Sequence, residues 1–85
     1  MGKRRIEMDQ RSIIEEIVKE LVDDSDSVKV EEIKGESAVV LNIKVAKSDL
    51  GKVIGRKGRI ISSLRTIFGS IFAKNDRKAI IEVND

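Results

Sequence analysis

Val53-Ile54-Gly55-Arg56-Lys57-Gly58-Arg59-Ile60-Ile61 decides how this chain is read. Two glycines enclose two cations, and aliphatic residues flank the loop on both sides. Gly55 and Gly58 permit backbone conformations and close approaches that a Cβ obstructs. A helix beginning near Gly58 turns its unpaired N–H groups, and the positive end of its dipole, into the space shared by the Arg56 and Lys57 side chains. An anionic backbone fits there. Such a contact is made to sugar-phosphate and carries little sequence information of its own. Other glycine motifs fit badly: a dinucleotide fingerprint needs G-x-G-x-x-G after a strand and a nucleotide loop needs G-x-x-x-x-G-K-[ST], whereas the glycines here run 51, 55, 58 between helices. A lone G-x-x-G is also an ordinary helix–helix turn. Its weight therefore comes from its surroundings.

On the N-terminal side, Ser48 or Asp49 caps a short helix that runs to about Val53 or Ile54. On the C-terminal side a longer helix carries Ile60, Ile61, Leu64, Ile67, Phe68, Ile71 and Phe72 at helical spacing, with Gly69 its one weak helix former. Further out, Ile13, Ile14, Ile17, Val18, Leu21 and Val22 recur as one face of an amphipathic helix. Ser12 with Glu15 offers a capping box for it, and Asp9 offers a cap for a slightly longer helix. Asp23, Asp24 and Asp26 oppose the macrodipole and stop it. Those carboxylates lack the Gly and the distant Glu of a calcium loop, so no metal is expected. Val28 and Val30 alternate with polar residues, while Ile33 falls out of phase, which fits a bulge. Val39, Leu41, Ile43 and Val45 alternate cleanly, and Gly35-Glu36 suits a two-residue turn with positive φ at the glycine. After a turn at Asn75-Asp76-Arg77, a closing strand runs from Lys78 to Val83, with Ile81 and Val83 on one face and Ile80 on the other. The order is α-β-β-α-α-β.

Composition narrows the chemistry. The chain has 85 residues with no His, Cys, Trp, Tyr or Pro, and Phe68 and Phe72 are its only aromatics. Disulfides, thiolate nucleophiles, His-ligated metals and Ser-His chemistry are all excluded. No carboxylate, Lys or Ser spacing suggests an enzyme, and no cofactor is expected. One domain with one modest core fits this length, at residues 10–85, behind a basic tail at residues 1–9. No apolar run approaches the length of a membrane span, and no signal peptide or myristoylation pattern is present, so a cytoplasmic protein is expected. The net charge of +2 says little until it is divided. From Leu50 to Asn75 the charged residues are Lys52, Arg56, Lys57, Arg59, Arg65 and Lys74, with no acid among them. Such a locally positive surface attracts phosphate, although a charge run is also what a solvated helix face shows.

The loop and its flanks resemble the signature of the KH RNA-binding domain. The element order is similar to the type II KH fold, an α+β arrangement with a three-stranded sheet and helices on one face. From the first helix to Val83 the chain resembles the small single-KH proteins of bacteria (KhpA type), and the N-terminal tail is its least family-like part. The resemblance implies a groove for about four nucleotides of single-stranded RNA or DNA, with RNA the expected ligand. By position, Gly55, Arg56, Lys57 and Gly58 hold phosphates, and Lys52, Arg59 and Arg65 are rim charges. Ile54, Ile60 or Ile61 and the strand from Val39 to Ile43 form an aliphatic wall for bases. Most of Ile54, Ile61, Leu64 and Ile67 must also serve the core. The resemblance further implies a role as post-transcriptional regulator or RNA chaperone, with self-association and pairing with a larger KH-containing protein. The end of the long helix around Phe68 to Phe72 is the first candidate for core or partner contact. The competing class is a protein–protein dimerisation module whose basic loop is only a turn.

Overall fold

The computed structural model describes residues 9–85. Of the two caps the sequence offers for the first helix, Asp9 is used: its carboxylate accepts the Ser12 N–H at 2.8 Å. That satisfies one of the free amides at a helix start. Helix α1 therefore spans Gln10–Leu21, and Glu15 accepts from Arg11 at 3.3 Å instead of closing a capping box. Asp9, expected in the tail, caps α1, and the rest of that expected tail lies outside the described residues.

Strands β1 (Lys29–Lys34) and β2 (Ala38–Lys44) form the expected antiparallel hairpin. Strand β3 (Lys78–Asn84) lies parallel to β2 on its other side, so β2 is central. Val30 stands opposite Ile43 and Leu41 opposite Ile81, and these residues with Val39 make the buried face of the sheet. Two details of the hairpin differ from expectation. No bulge interrupts it: Ile33 pairs in regular register with Val40 and is 60% exposed. Ile33 is out of phase simply because it lies on the outer face, where Val40 and Ile80 are its neighbours across the sheet. Nor is Gly35 at the centre of the turn. Its N–H donates to Ala38 O at 2.7 Å, which leaves Glu36 and Ser37 at the centre, and no residue of the turn has positive φ.

A 3₁₀ turn at Lys47–Asp49 leads into α2 (Leu50–Ile54), and α3 (Arg59–Ala73) follows the glycine loop. Ile14 and Val18 of α1, Val53 of α2, and Ile61, Leu64, Phe68 and Phe72 of α3 join the inner strand residues in one cluster. All three helices thus cover the same side of the sheet, as the type II order requires. Phe68 and Phe72 both lie in this core, which removes them as a partner contact. The exposed aliphatic on that helix is Ile67, at 52%. At the end of α3, Asp76 takes φ 58° and Arg77 N–H returns to Phe72 O at 3.1 Å, which turns the chain into β3.

Candidate nucleic-acid interface

The loop between α2 and α3 is built from unusual backbone. Gly55 has φ 80° and ψ 167°, a region open essentially to glycine alone. Lys57 (φ 57°, ψ 26°) and Gly58 (φ 73°, ψ 17°) are left-handed in succession. Gly58 N–H to Gly55 O at 3.0 Å closes the turn. The two glycines are required for different reasons. A Cβ on Gly55 would stand 2.7 Å from Ile60 Cγ1 and 2.9 Å from the Ile60 nitrogen, so space as well as conformation demands glycine. A Cβ on Gly58 would meet nothing, so only conformation demands it there. Gly58 also leaves α3 without a side-chain cap, and the positive end of a 15-residue helix opens onto the loop.

The six cations of the acid-free run separate into groups. Arg56, Lys57 and Arg59 are exposed, and none forms an ion pair among the described residues. Lys52 is held by two carboxylates, with Nζ 3.3 Å from both Asp23 Oδ2 and Asp49 Oδ1. Arg65 turns to the sheet, where Nε and Nη2 donate to Ile81 O at 3.3 and 3.1 Å. Lys74 lies just beyond the far end of α3. Only the loop trio is therefore concentrated and unpaired.

The aliphatic residues divide in the same way. Ile54 and Ile60 are half-buried beside the loop, whereas Ile61 is 5% exposed and packs into the core. The expected base-binding wall from Val39 to Ile43 is not there. Val39, Leu41 and Ile43 are fully buried beneath the helices, and Val40 and Asn42 lie on the opposite face of the sheet. A central strand covered on its inner side has no surface to offer on the side of the loop. On the outer side of α3, Ser62, Ser63, Thr66 and Ile67 line an open depression of about 360 Å³.

Asp49 has a place that its sequence position did not reveal. Read as a helix cap, it makes no side-chain cap bond to α2 and is instead buried, at 1% exposure. Its carboxylate accepts the Asp24 N–H at 3.0 Å, the Asp23 N–H at 3.3 Å and the Lys52 ammonium. The Asp24 amide, helped by the Asp23 amide and Lys52, holds its carboxyl below the usual range and outweighs the opposing effect of burial. Bonds to Asp23 and Asp49 likewise hold Lys52 above the usual lysine range. A carboxyl depressed in the folded state stabilises the protein above its unfolded value of about 3.9, and that contribution disappears as pH falls through the lower folded value. Thermal melts are expected to be flat from neutral pH to about pH 4 and to fall below it. Asp49→Asn should melt lower at neutral pH and show a shallower acid limb; an unchanged acid limb would remove Asp49 from the explanation.

No helix among the described residues is long and apolar enough to cross a membrane. A family model described as KhpA/KhpB, KH domain matches residues 11–83, from the first turn of α1 to Val83 in β3. The protein named RNA-binding protein KhpA from Borreliella burgdorferi is 47% identical over 73 residues, covering 86% of this chain and 89% of the relative. Those of the same name from Aquifex aeolicus and Clostridium acetobutylicum are 45% and 40% identical over 73 residues, covering 86% of this chain and 92% and 97% of the relatives. No solved structure matches significantly. The match takes in every helix and strand described above together with the glycine loop, and the chain belongs to the KhpA/KhpB KH-domain family.

Proposed function

We propose that this protein binds single-stranded RNA through the Gly55–Gly58 loop, which clamps the sugar-phosphate backbone of about four nucleotides. One observation carries this reading: three unpaired cations, Arg56, Lys57 and Arg59, stand on a left-handed glycine loop at the uncapped start of α3. The relatives, each named RNA-binding protein KhpA, support it. Gly55 and Gly58 admit the phosphates, the three cations neutralise them, and Ile54 and Ile60 meet the bases while Ile61 supports them from the core. Lys52 and Arg65 hold the scaffold, since their charged ends already have partners.

Residues 10–85, with Asp9 as their cap, act as a single KH domain. Binding held by backbone contacts without aromatic stacking is weak and tolerant of sequence, because stacking platforms contribute about 1 to 3 kcal/mol per base elsewhere. That suits a cytoplasmic post-transcriptional regulator or RNA chaperone that meets many transcripts. A second domain would raise affinity through effective concentration, by self-association or by pairing with a larger KH-containing protein. With Phe68 and Phe72 in the core, the outer face of α3 around Ile67 is the surface for such pairing.

The test replaces Arg56 and Lys57 by Asp, confirms the fold by circular dichroism, and titrates labelled single-stranded RNA at two salt concentrations. Wild type should show a salt slope of roughly −2, from three phosphates at about −0.7 each. The folded double variant should lose about tenfold or more in affinity, with a flatter slope. Unchanged affinity would instead favour a dimerisation module that does not touch nucleic acid.

A further inference from the structure

Asp49 is the one buried charged side chain among the described residues, and neither phosphate nor base contact uses it. It stands at the junction of two segments distant in sequence. One is the turn after α1, whose Asp23 and Asp24 amides it accepts; the other is α2, which begins at the next residue. Lys52, one turn into α2, adds a second strap by bridging Asp49 and Asp23. Helix α2 has only five residues, too few to be stable by its own hydrogen bonding. Its direction is set by what holds it. At its start there is the Asp49–Lys52–Asp23 group, in its middle the buried Val53, and at its end the Gly55 N–H on Gly51 O at 2.9 Å. The residue after α2 is Gly55, whose main chain fits against Ile60 with no room for a Cβ. A small rotation of α2 therefore moves the whole entrance of the loop.

We propose that Asp49 is a positioning residue for the glycine loop: it fastens the start of α2 to the turn after α1, and so fixes where α2 delivers Gly55, Arg56 and Lys57. The inference rests on the RNA-clamp reading above. A carboxylate is suited to the task because both oxygens face donors, two amides and an ammonium. An asparagine at the same place keeps one acceptor and turns the other into a donor that faces a donor.

The test compares Asp49→Asn with wild type and with the Arg56→Asp, Lys57→Asp double variant, in RNA titrations at two salt concentrations and in amide hydrogen exchange. Asp49→Asn is expected to bind RNA about fivefold more weakly, the equivalent of about 1 kcal/mol for a lost hydrogen bond, with an unchanged salt slope because no phosphate contact is removed. Exchange should accelerate at residues 50–58 while the amides of β2 keep their protection. Wild-type affinity in folded Asp49→Asn, or faster exchange spread evenly over the sheet, would reduce Asp49 to a general stabiliser and overturn the proposal. If the double variant also keeps wild-type affinity, the clamp reading fails and the proposal fails with it; loss in the double variant alone leaves the clamp standing and rejects only Asp49. Should Asp49→Asn not fold, Lys52→Gln, which leaves both amide bonds in place, is expected to accelerate exchange selectively at residues 50–55. No selective change there would overturn the proposal equally.

Discussion

Phe68→Ala is expected to cost about 3 to 5 kcal/mol of folding free energy, the range for truncating a fully buried aromatic. Phe68 is the largest fully buried side chain described, on the face of α3 that also buries Ile61, Leu64 and Phe72. A domain of this length has a total stability of only about 4 to 13 kcal/mol. One truncation therefore removes a large part of it. Urea denaturation followed by circular dichroism should show a much lower midpoint with little change in slope. Ile33→Ala is the matched control, because Ile33 projects from the outer face of the sheet and its truncation should cost less than about 1 kcal/mol. Equal losses at the two positions would contradict the placing of Phe68 in the core and of Ile33 on the open face of the sheet.

Gly55→Ala should cost about 2 to 6 kcal/mol, from roughly 1 to 3 for the backbone conformation and a similar amount for the forced contact. The two contributions arise separately. Its φ of 80° with ψ 167° disfavours any side chain, and the new Cβ would press on both the side chain and the main-chain nitrogen of Ile60. Ile60 cannot yield without shifting the first turn of α3, so the loop distorts along with the loss of stability. At Gly58 only conformation is at stake. Gly58→Ala should cost about 1 to 2 kcal/mol and Gly58→Asn less, because Asn tolerates the left-handed region. Denaturation of the three variants checks the order, and similar costs for Ala at 55 and 58 would show that the loop can rearrange around Gly55.

The contrast between these glycines marks how far the sequence could be read. That both are needed was legible from a G-x-x-G between two apolar periodicities, since helix and loop boundaries are written in residues a few positions apart. That Gly55 is needed for space depends on where Ile60 lies, which no spacing rule states. Ile33 shows the same limit: the alternation breaks there, which fits a bulge. The unbroken pairing of Ile33 with Val40 decides for the outer face. Phe68 and Phe72 belonged to one helical stripe that suited core and partner contact equally. Their burial assigns them to the core.

From the sequence alone come the order α-β-β-α-α-β, the glycine loop, its cations and the exclusion of His and Cys chemistry. Each is a property of composition or of neighbours along the chain. Only the tertiary structure decides which cations are free. Lys52, Arg56 and Lys57 look alike in a run without acids, yet Lys52 is neutralised by Asp23, which lies 29 positions earlier, and by a buried Asp49. The same holds for the strand from Val39 to Ile43, whose alternation was plain while its cover of helices was not. The physical reason is common to all these cases. Periodicity records the local geometry of the backbone, whereas burial, pairing and available space depend on segments brought together only when the chain has folded.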